Sequence, residues 1–483
     1  MAPPAAGNPV GPSYPLAAGA AEHAHAQLVE TLRALIRIPS VNPPDPARPA
    51  AELEAARWIA GALADAGLAP EVLEPVPGRG SVVARLRGDG TAGEPLLLLS
   101  HLDVVPASTG AWTHDPFAAD VADGYVWGRG AVDMKDLVAM EIQVLRLLAA
   151  EARAAGRDPA TDPIPGLGRD ILFACSADEE AGGFDGLGWI VDNRPELVQA
   201  AGALNESGGI ATRIADRVFY PIQVAEKGYA VYRITVHGTW GHGSMPREDN
   251  AVLLAAEVVR RLARPGAARQ TATMRAFLDG VMGALPGAAG HAVRAMAAGD
   301  PRVEAAVIER ACDPSQARAL RALLRDTISP DVIHAGVKYN VIPGEAMIEL
   351  DCRVLPGTTE PTMREQIMDR LGDMAGACTV ELTAFGPPVE SSADTELYRI
   401  LAATLSDHDP DGLPLPVMAP FATDAKHLAR IGVPCYGFSP LRLEPGERYL
   451  ERFHGIDERV GLGALRWGLP VFYDAVRRFA AAR

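Results

Sequence analysis

Apolar residues fall into two kinds of pattern along this chain. In the first, an unbroken apolar run ends abruptly in polar, metal-capable side chains. Leu96, Leu97, Leu98 and Leu99 run into Ser100-His101-Leu102-Asp103, as expected of a strand covered on both faces of a parallel sheet. Ile171-Leu172-Phe173-Ala174-Cys175 repeats the arrangement and ends in Ser176-Ala177-Asp178-Glu179-Glu180-Ala181-Gly182-Gly183. Ala203-Leu204 likewise leads into Asn205-Glu206-Ser207-Gly208-Gly209. Stretches at 72–73 and 81–86 alternate like further strands. In the second pattern the spacing is helical. Leu28, Leu32, Leu35 and Ile36 stripe a helix over 20–38, closed by Pro39. Another is predicted over 50–66, stopped by Gly67. A third begins after Asp133, where Leu137, Met140, Ile142, Val144, Leu145 and Leu148 carry the stripe to about residue 155.

The rhythm changes at Lys227-Gly228. Residues 229–237 alternate as a strand, 250–262 form an apolar-striped helix, 337–354 read as a hairpin turning at Pro343-Gly344, 362–374 are helical, and 379–385 are a strand. That βαββαβ order predicts a ferredoxin-like sandwich. Residues 264–330 are extra material of helical character between its first helix and its hairpin, clearest at 318–324. After Gly386-Pro387-Pro388 the α/β character returns, with a helix at 396–405, a strand at 433–438 and a final helix to 481. The predicted organisation is a disordered tail, 1–19, then a discontinuous α/β domain, 20–224 and 387–483, interrupted by an α+β domain, 225–386, that carries the insertion 264–330.

A chain of 483 residues is too long for one core, which agrees with two domains. Against 45 basic residues stand 61 acidic ones, a formal charge of -16 that repels phosphate backbones and anionic lipid. Nucleic acid and membrane surfaces are therefore not expected partners. Cys175, Cys312, Cys352, Cys378 and Cys435 are odd in number and show no close pairing, so neither a disulfide framework nor a thiolate zinc site is expected. Residues 1–19 lack both a basic and an apolar signal region, and no uncharged apolar run approaches the roughly 20 residues that span a bilayer. A cytoplasmic location is the expectation.

Chemistry concentrates where the strands end. His101 and Asp103 are two apart, so they can project to one side of a strand end, where the carboxylate can orient the imidazole. Asp133 stands where the Gly128-Arg129-Gly130 turn becomes a helix. Ligands of open α/β sheets bind outside the carboxyl ends of strands, which makes His101 and Asp133 plausible neighbours. Adjacent Glu179 and Glu180 point in different directions, so one can ligate a cation while the other holds a water. Taken singly, each has a plainer reading: a core histidine, a helix cap, a solvated acidic turn. The recurrence is what favours a site. His23, His25, His237, His291 and His334 have no matching acids nearby and keep the plainer reading.

Taken together, Ser100-His101-Leu102-Asp103, Gly128-Arg129-Gly130 through Asp133-Met134-Lys135, Asp178-Glu179-Glu180, Asn205-Glu206 and His454-Gly455-Ile456-Asp457-Glu458 resemble the two-zinc metallopeptidases of clan MH. That clan includes aminoacylases, glutamate carboxypeptidases, carboxypeptidase S-like enzymes and succinyl-diaminopimelate desuccinylases. The insertion 264–330 resembles the longer, carboxypeptidase S-like and N-acyl-amino-acid-hydrolysing branch. The resemblance implies an α/β catalytic domain with a central mixed sheet flanked by helices and a ferredoxin-like lid that also dimerises. It implies two Zn²⁺, with Co²⁺ or Mn²⁺ as substitutes: His101 and Glu206 on one, Glu180 and His454 on the other, Asp133 bridging. Asp103 would orient His101, and Glu179 would be the general base and acid. His242 would reach a partner subunit's site and steady an oxyanion, while Lys227, Asn340 and Arg353 would line the substrate site. Thr423-Asp424-Ala425 resembles a segment beside the active site and is read as a supporting helix cap.

The implied activity is hydrolysis of an amide or peptide bond next to a free carboxylate, in a dipeptide, at a C-terminal residue or in an N-acyl amino acid. The implied partners are a small-molecule substrate and, through the lid, a second copy of the chain. Deacylation of a biosynthetic N-acyl intermediate is an alternative within the enzymes. Outside them stands a catalytically silent metal-binding relative, against which an intact Glu179 counts.

Overall fold

The four-leucine run becomes the Leu96–His101 strand, which lies inside a mixed sheet because both of its faces find apolar cover. The protein is a computed structural model that describes residues 18–42, 51–107, 110–285, 287, 290, 291, 293, 294, 314–444 and 447–482. Its chain divides into two units. The described residues of 1–223, with 391–415 and 423–483, form the first, and those of 224–390 with 416–422 form the second.

In the first unit the strand order is Glu71–Val76, Arg79–Leu86, Ile171–Ser176, Leu96–His101, Gly202–Asn205, Cys435–Gly437, Arg217–Glu226. The four inner strands run parallel, and antiparallel strands flank them on both sides. Every residue of Leu96–His101 and Ile171–Ser176 is buried. Leu97 and Leu99 share a core with Leu172, Ala174 and Ala203 and with Leu187, Ile190 and Leu428 from helices. Ser100, on the opposite face, donates to Glu141 of the Lys135–Ala154 helix at 2.6 Å. A continuous apolar run is thus the pattern of a strand sandwiched between helices. The Arg217–Glu226 strand was not among the predicted elements. Ala18 and Gly19, expected in a tail, already belong to the Ala18–Ile36 helix, and the rest of that tail lies outside the described residues. No helix among the described residues is long and apolar enough to cross a membrane.

In the second unit four antiparallel strands are ordered Thr327–Ala335, Glu345–Val354, Gly228–His237, Cys378–Gly386. Alternate residues Ala230, Tyr232, Ile234 and Val236 pack against Ala255, Val258 and Leu262 of one helix and Met363, Ile367 and Leu371 of another. The first helix is capped by Asn250, whose side chain accepts from Val252 N. This is the ferredoxin-like arrangement. One strand is displaced from its expected place. The first arm of the expected hairpin is not at 337–342, where Val341–Ile342 pairs instead with Gly241–His242. It is Thr327–Ala335, partly inside the segment read as an insertion. Pro330 concealed it, since proline reads as a strand breaker; here the strand is at the sheet edge, with a bulge between Pro330 and Val332. The insertion itself contributes the Ala272–Ala284 and Pro314–Leu323 helices, and 295–313 lie outside the described residues.

Candidate metal centre

Register brings the acidic strand ends together. His101 pairs with Ser176 across the parallel ladder, so the turn carrying Glu179 and Glu180 emerges beside it at the carboxyl edge of the sheet. The next strand, Gly202–Asn205, ends one residue before Glu206. His101 Nε2 lies 3.3 Å from Asp133 Oδ1 and 4.0 Å from Glu206 Oε1. His454 Nε2 lies 3.2 Å from Asp133 Oδ2 and 3.1 Å from Glu180 Oε2. Asp133 therefore turns one carboxylate oxygen toward each of two imidazoles. Potential ligand atoms of His101, Asp133 and Glu180 fall within 4.8 Å of one another, as do those of His101, Glu179 and Glu206. Glu180 Oε1 is buried without a hydrogen-bond partner. A buried acceptor left unpaired among imidazoles and carboxylates is what a bound cation would satisfy, and this donor set suits zinc.

Asp103 organises two of these groups at once. Its backbone carbonyl lies 3.0 Å from His101 Nδ1, nearer than its carboxylate at 3.5 Å, and either partner leaves Nε2 directed at Asp133. The fully buried carboxylate accepts from Glu179 N at 3.1 Å, Glu180 N at 3.0 Å and Asn42 Nδ2 at 2.8 Å. Asp103 thus orients the glutamate turn as much as the histidine. Behind it, Arg79 pairs with Glu52 and Asp178, both at 2.8 Å, and donates to Asn42 Oδ1 at 3.0 Å.

Asp133 and His454 are joined by a second network. Trp127 pairs with Arg459 in a small antiparallel sheet, which carries the glycine-rich turn past Glu458. Glu458 is fully buried. Its Oε1 accepts from Val132 N at 2.9 Å and Asp133 N at 3.3 Å, and its Oε2 from Arg129 Nη1 at 2.6 Å. Arg129 Nη2 also donates to the carbonyl of His454 at 3.3 Å. Gly130 is required in this turn: its φ is 86°, and a Cβ there would stand 2.8 Å from Val104.

The centre favours bound protons on its acids and imidazoles alike. Burial pushes Glu179 up to about 8, with Lys426 and His101 pulling the other way, and raises Glu206 well above the carboxylate range. Burial also works against the charge on Asp133, but His101 and His454 outweigh it and hold Asp133 low. Asp133 and Glu180 raise His454 to about 10. Burial alone would lower His101, yet Asp103, Asp133 and Glu206 raise it well above its usual value. Groups that favour positive charge this consistently make a cation site.

The first unit thus assembles His101, Asp103, Asp133, Glu179, Glu180, Glu206 and His454. The other site residues named from the sequence belong to the second unit. His242 is exposed, and its Nδ1 lies 2.8 Å from Ser244 Oγ and 3.2 Å from Ser244 N. Arg353 forms a two-pronged pair with Asp351, at 2.8 and 3.0 Å. Lys227 is fully buried and donates to the carbonyls of Ala322 at 3.1 Å and Arg325 at 2.9 Å. The backbone carbonyl of Asn340 accepts from Gly243 N at 2.9 Å. Asp424 does not cap its helix. Thr423 Oγ1 accepts from Ala425 N instead, and Asp424 Oδ2 takes the Ser176 hydroxyl at 2.6 Å. Sequence reasoning gave no role to Asn42, Arg79, Arg129, Glu458 or Lys426. Arg129 and Glu458 lie inside the recognised motifs, while Asn42 and Arg79 carry no local signal.

Residues 97–478 match the model of peptidase family M20/M25/M40. The chain is 27% identical over 455 residues to the N-fatty-acyl-amino acid synthase/hydrolase PM20D1 of Xenopus tropicalis, covering 92% of this chain and 84% of that protein. It is also 27% identical over 461 residues to aminoacylase-1 of Sus scrofa, covering 94% and 95%. Human carnosine dipeptidase 1 shares the fold, with a TM-score of 0.67 at 17% identity over 96% of this chain and 98% of that one. A match spanning most of the chain, with the centre built on the motifs that define its sheet edge, makes the protein a member of the M20 metallohydrolases, enzymes of peptidase and aminoacylase type.

Proposed function

We propose that the protein hydrolyses the amide or peptide bond next to a free carboxylate, with two zinc ions as its cofactors. The observation that carries this reading is Asp133, whose two oxygens face two different histidines at 3.3 and 3.2 Å. His101 and Glu206 would hold one ion, His454 and Glu180 the other, with Asp133 shared. When bound, such a pair supplies Lewis acidity toward the scissile carbonyl and toward a nucleophilic water. The protein's own residues do the rest. Asp103 holds the turn in register by accepting both glutamate amides, and Glu179 takes the proton of the attacking water and delivers it to the departing amine nitrogen. His242 would steady the developing oxyanion in a partner subunit's site.

Among substrates of this class, N-acyl amino acids are favoured over dipeptides, because a relative covering 92% of this chain is named for them. A screen of N-acyl amino acids and dipeptides with added zinc tests the class, and amides of the same compounds test the need for a free carboxylate. Glu179→Gln should keep its zinc and lose on the order of 10²- to 10⁴-fold in kcat. Near-normal turnover by the fully metallated variant would remove Glu179 from the chemistry.

A further inference from the structure

The turn bearing Glu179 has a partner that the reaction just described does not use. Asp424 to His427 is a stretch of charged and polar residues with one alanine, yet it is buried. The short Ala425–Ala429 helix is fastened to the Glu179 turn at several points. Asp424 takes the hydroxyl of Ser176, the last residue of the strand leading into the turn. His427 Nε2 lies 2.9 Å from the carbonyl of Gly182, and its ring meets Phe184 edge to face. Gly183 allows the approach: its φ is 72°, and a Cβ there would overlap Asp424 Oδ1.

Fastened in this way, the helix brings Lys426 to the glutamate. Lys426 Nζ donates to the carbonyl of Thr423 at 3.0 Å, which fixes the ammonium, and stands 3.8 Å from Glu179 Oε1 and 3.9 Å from Asp424 Oδ1. The side chains of Lys426 and Glu179 are only 8% and 10% exposed, so water screens the pair weakly. A carboxylate oxygen of Glu179 also lies within 4.8 Å of one of Glu206, and the two groups disfavour each other's charge.

We propose that Lys426 is a positioning residue for Glu179. Its ammonium holds the carboxylate against the repulsion of the neighbouring acids, in the place from which it exchanges a proton with water and the leaving nitrogen. This rests on the reading of Glu179 as the proton carrier.

The test is a double-mutant cycle in the zinc-loaded enzyme. Lys426→Met keeps the length and apolar stem of the side chain and removes its charge. It should lower kcat by roughly 10- to 100-fold, the scale of a small misplacement of a reacting group, with KM within about twofold of wild type and zinc content unchanged. A residue that acts only through Glu179 has nothing to act on once Glu179 is glutamine. Lys426→Met should therefore cause no further loss in a Glu179→Gln background. A role in packing alone would lower kcat by the same factor in both backgrounds. If Lys426→Met does not yield folded protein, Lys426→Gln, which retains a donor for the Thr423 carbonyl, runs the same cycle. Unchanged kcat in the single variant, or equal losses in the two backgrounds, overturns the inference. Normal turnover by Glu179→Gln alone overturns the role of Glu179 itself, so the two failures are distinguishable.

Discussion

Replacing Asp103 tests how the centre is built. Its carboxylate is fully buried and accepts three hydrogen bonds, from Asn42 at 2.8 Å, Glu180 N at 3.0 Å and Glu179 N at 3.1 Å. Asp103→Ala leaves the amides of Glu179 and Glu180 without an acceptor and leaves Asn42 Nδ2 only its longer bond to Asp178 Oδ1, at 3.4 Å. An orphaned buried donor costs about 1–3 kcal/mol, which sets a ceiling of roughly 6 kcal/mol for the two amides. Water entering the space left by the carboxylate will recover part of that, so a loss of about 3–5 kcal/mol is expected. Asp103→Asn keeps one acceptor oxygen and nearly the same volume, so it should lose less. Both variants should bind zinc about 10- to 100-fold more weakly, the usual effect of removing a group that orients a ligand. The backbone carbonyl beside His101 Nδ1 survives in either variant. Any loss of affinity therefore reports chiefly on the Glu179–Glu180 turn. Guanidinium unfolding with and without chelator, and zinc titration against a competing chromophoric chelator, measure the two quantities. Asp103→Ala unfolding at the wild-type midpoint, or binding zinc within twofold of wild type, would refute the reasoning.

Three further predictions follow from other parts of the structure. Asp133→Ala should abolish binding of both zinc ions, because each is left with two side chains; elemental analysis finding two per chain would require another bridging group. His242→Ala should lower kcat by about 10²- to 10³-fold, the effect of one lost oxyanion donor, with KM little changed; a variant with wild-type kcat would exclude this role. Glu141 concerns pH. Burial raises its carboxyl well above the ordinary range, against the pull of the Ser100 hydroxyl, so the folded protein keeps a proton that the unfolded chain releases near pH ~4.3. Stability is therefore lost as pH rises from the unfolded value toward the folded one. Glu141→Gln keeps an acceptor for Ser100 and removes that dependence, so it should be more stable than wild type in urea at pH 8, with the advantage gone at pH 4. Parallel pH profiles for the two proteins would contradict this.

The parts of the centre legible in the sequence were those whose local pattern is tied to their position. A fully apolar strand in a parallel sheet needs cover on both faces, and its carboxyl end opens into the ligand-binding edge. The runs before His101, Glu179 and Glu206 therefore announced both the strands and the place where their polar ends would gather. The glycine-rich turn before Asp133 was equally plain, since Gly130 adopts a backbone conformation that a side chain disfavours. The Thr327–Ala335 strand was not legible: its proline is tolerable only on a sheet edge, and being on an edge is a property of the assembled sheet.

The sequence alone thus determined most of the elements, the Arg217–Glu226 and Thr327–Ala335 strands excepted, and which strand ends carry imidazole and carboxylate, because strand and helix periods depend on near neighbours in the chain. Only the tertiary structure decided what those ends rest on. Asn42 reaches Asp103 across 61 positions, Lys426 reaches Glu179 across 247, and Arg129 reaches Glu458 across 329. A buried carboxylate must find its donor or cation wherever the fold brings one. Periodicity carries no record of that choice, since the partner is set by the register of strands and the packing of helices that meet only after the chain has folded.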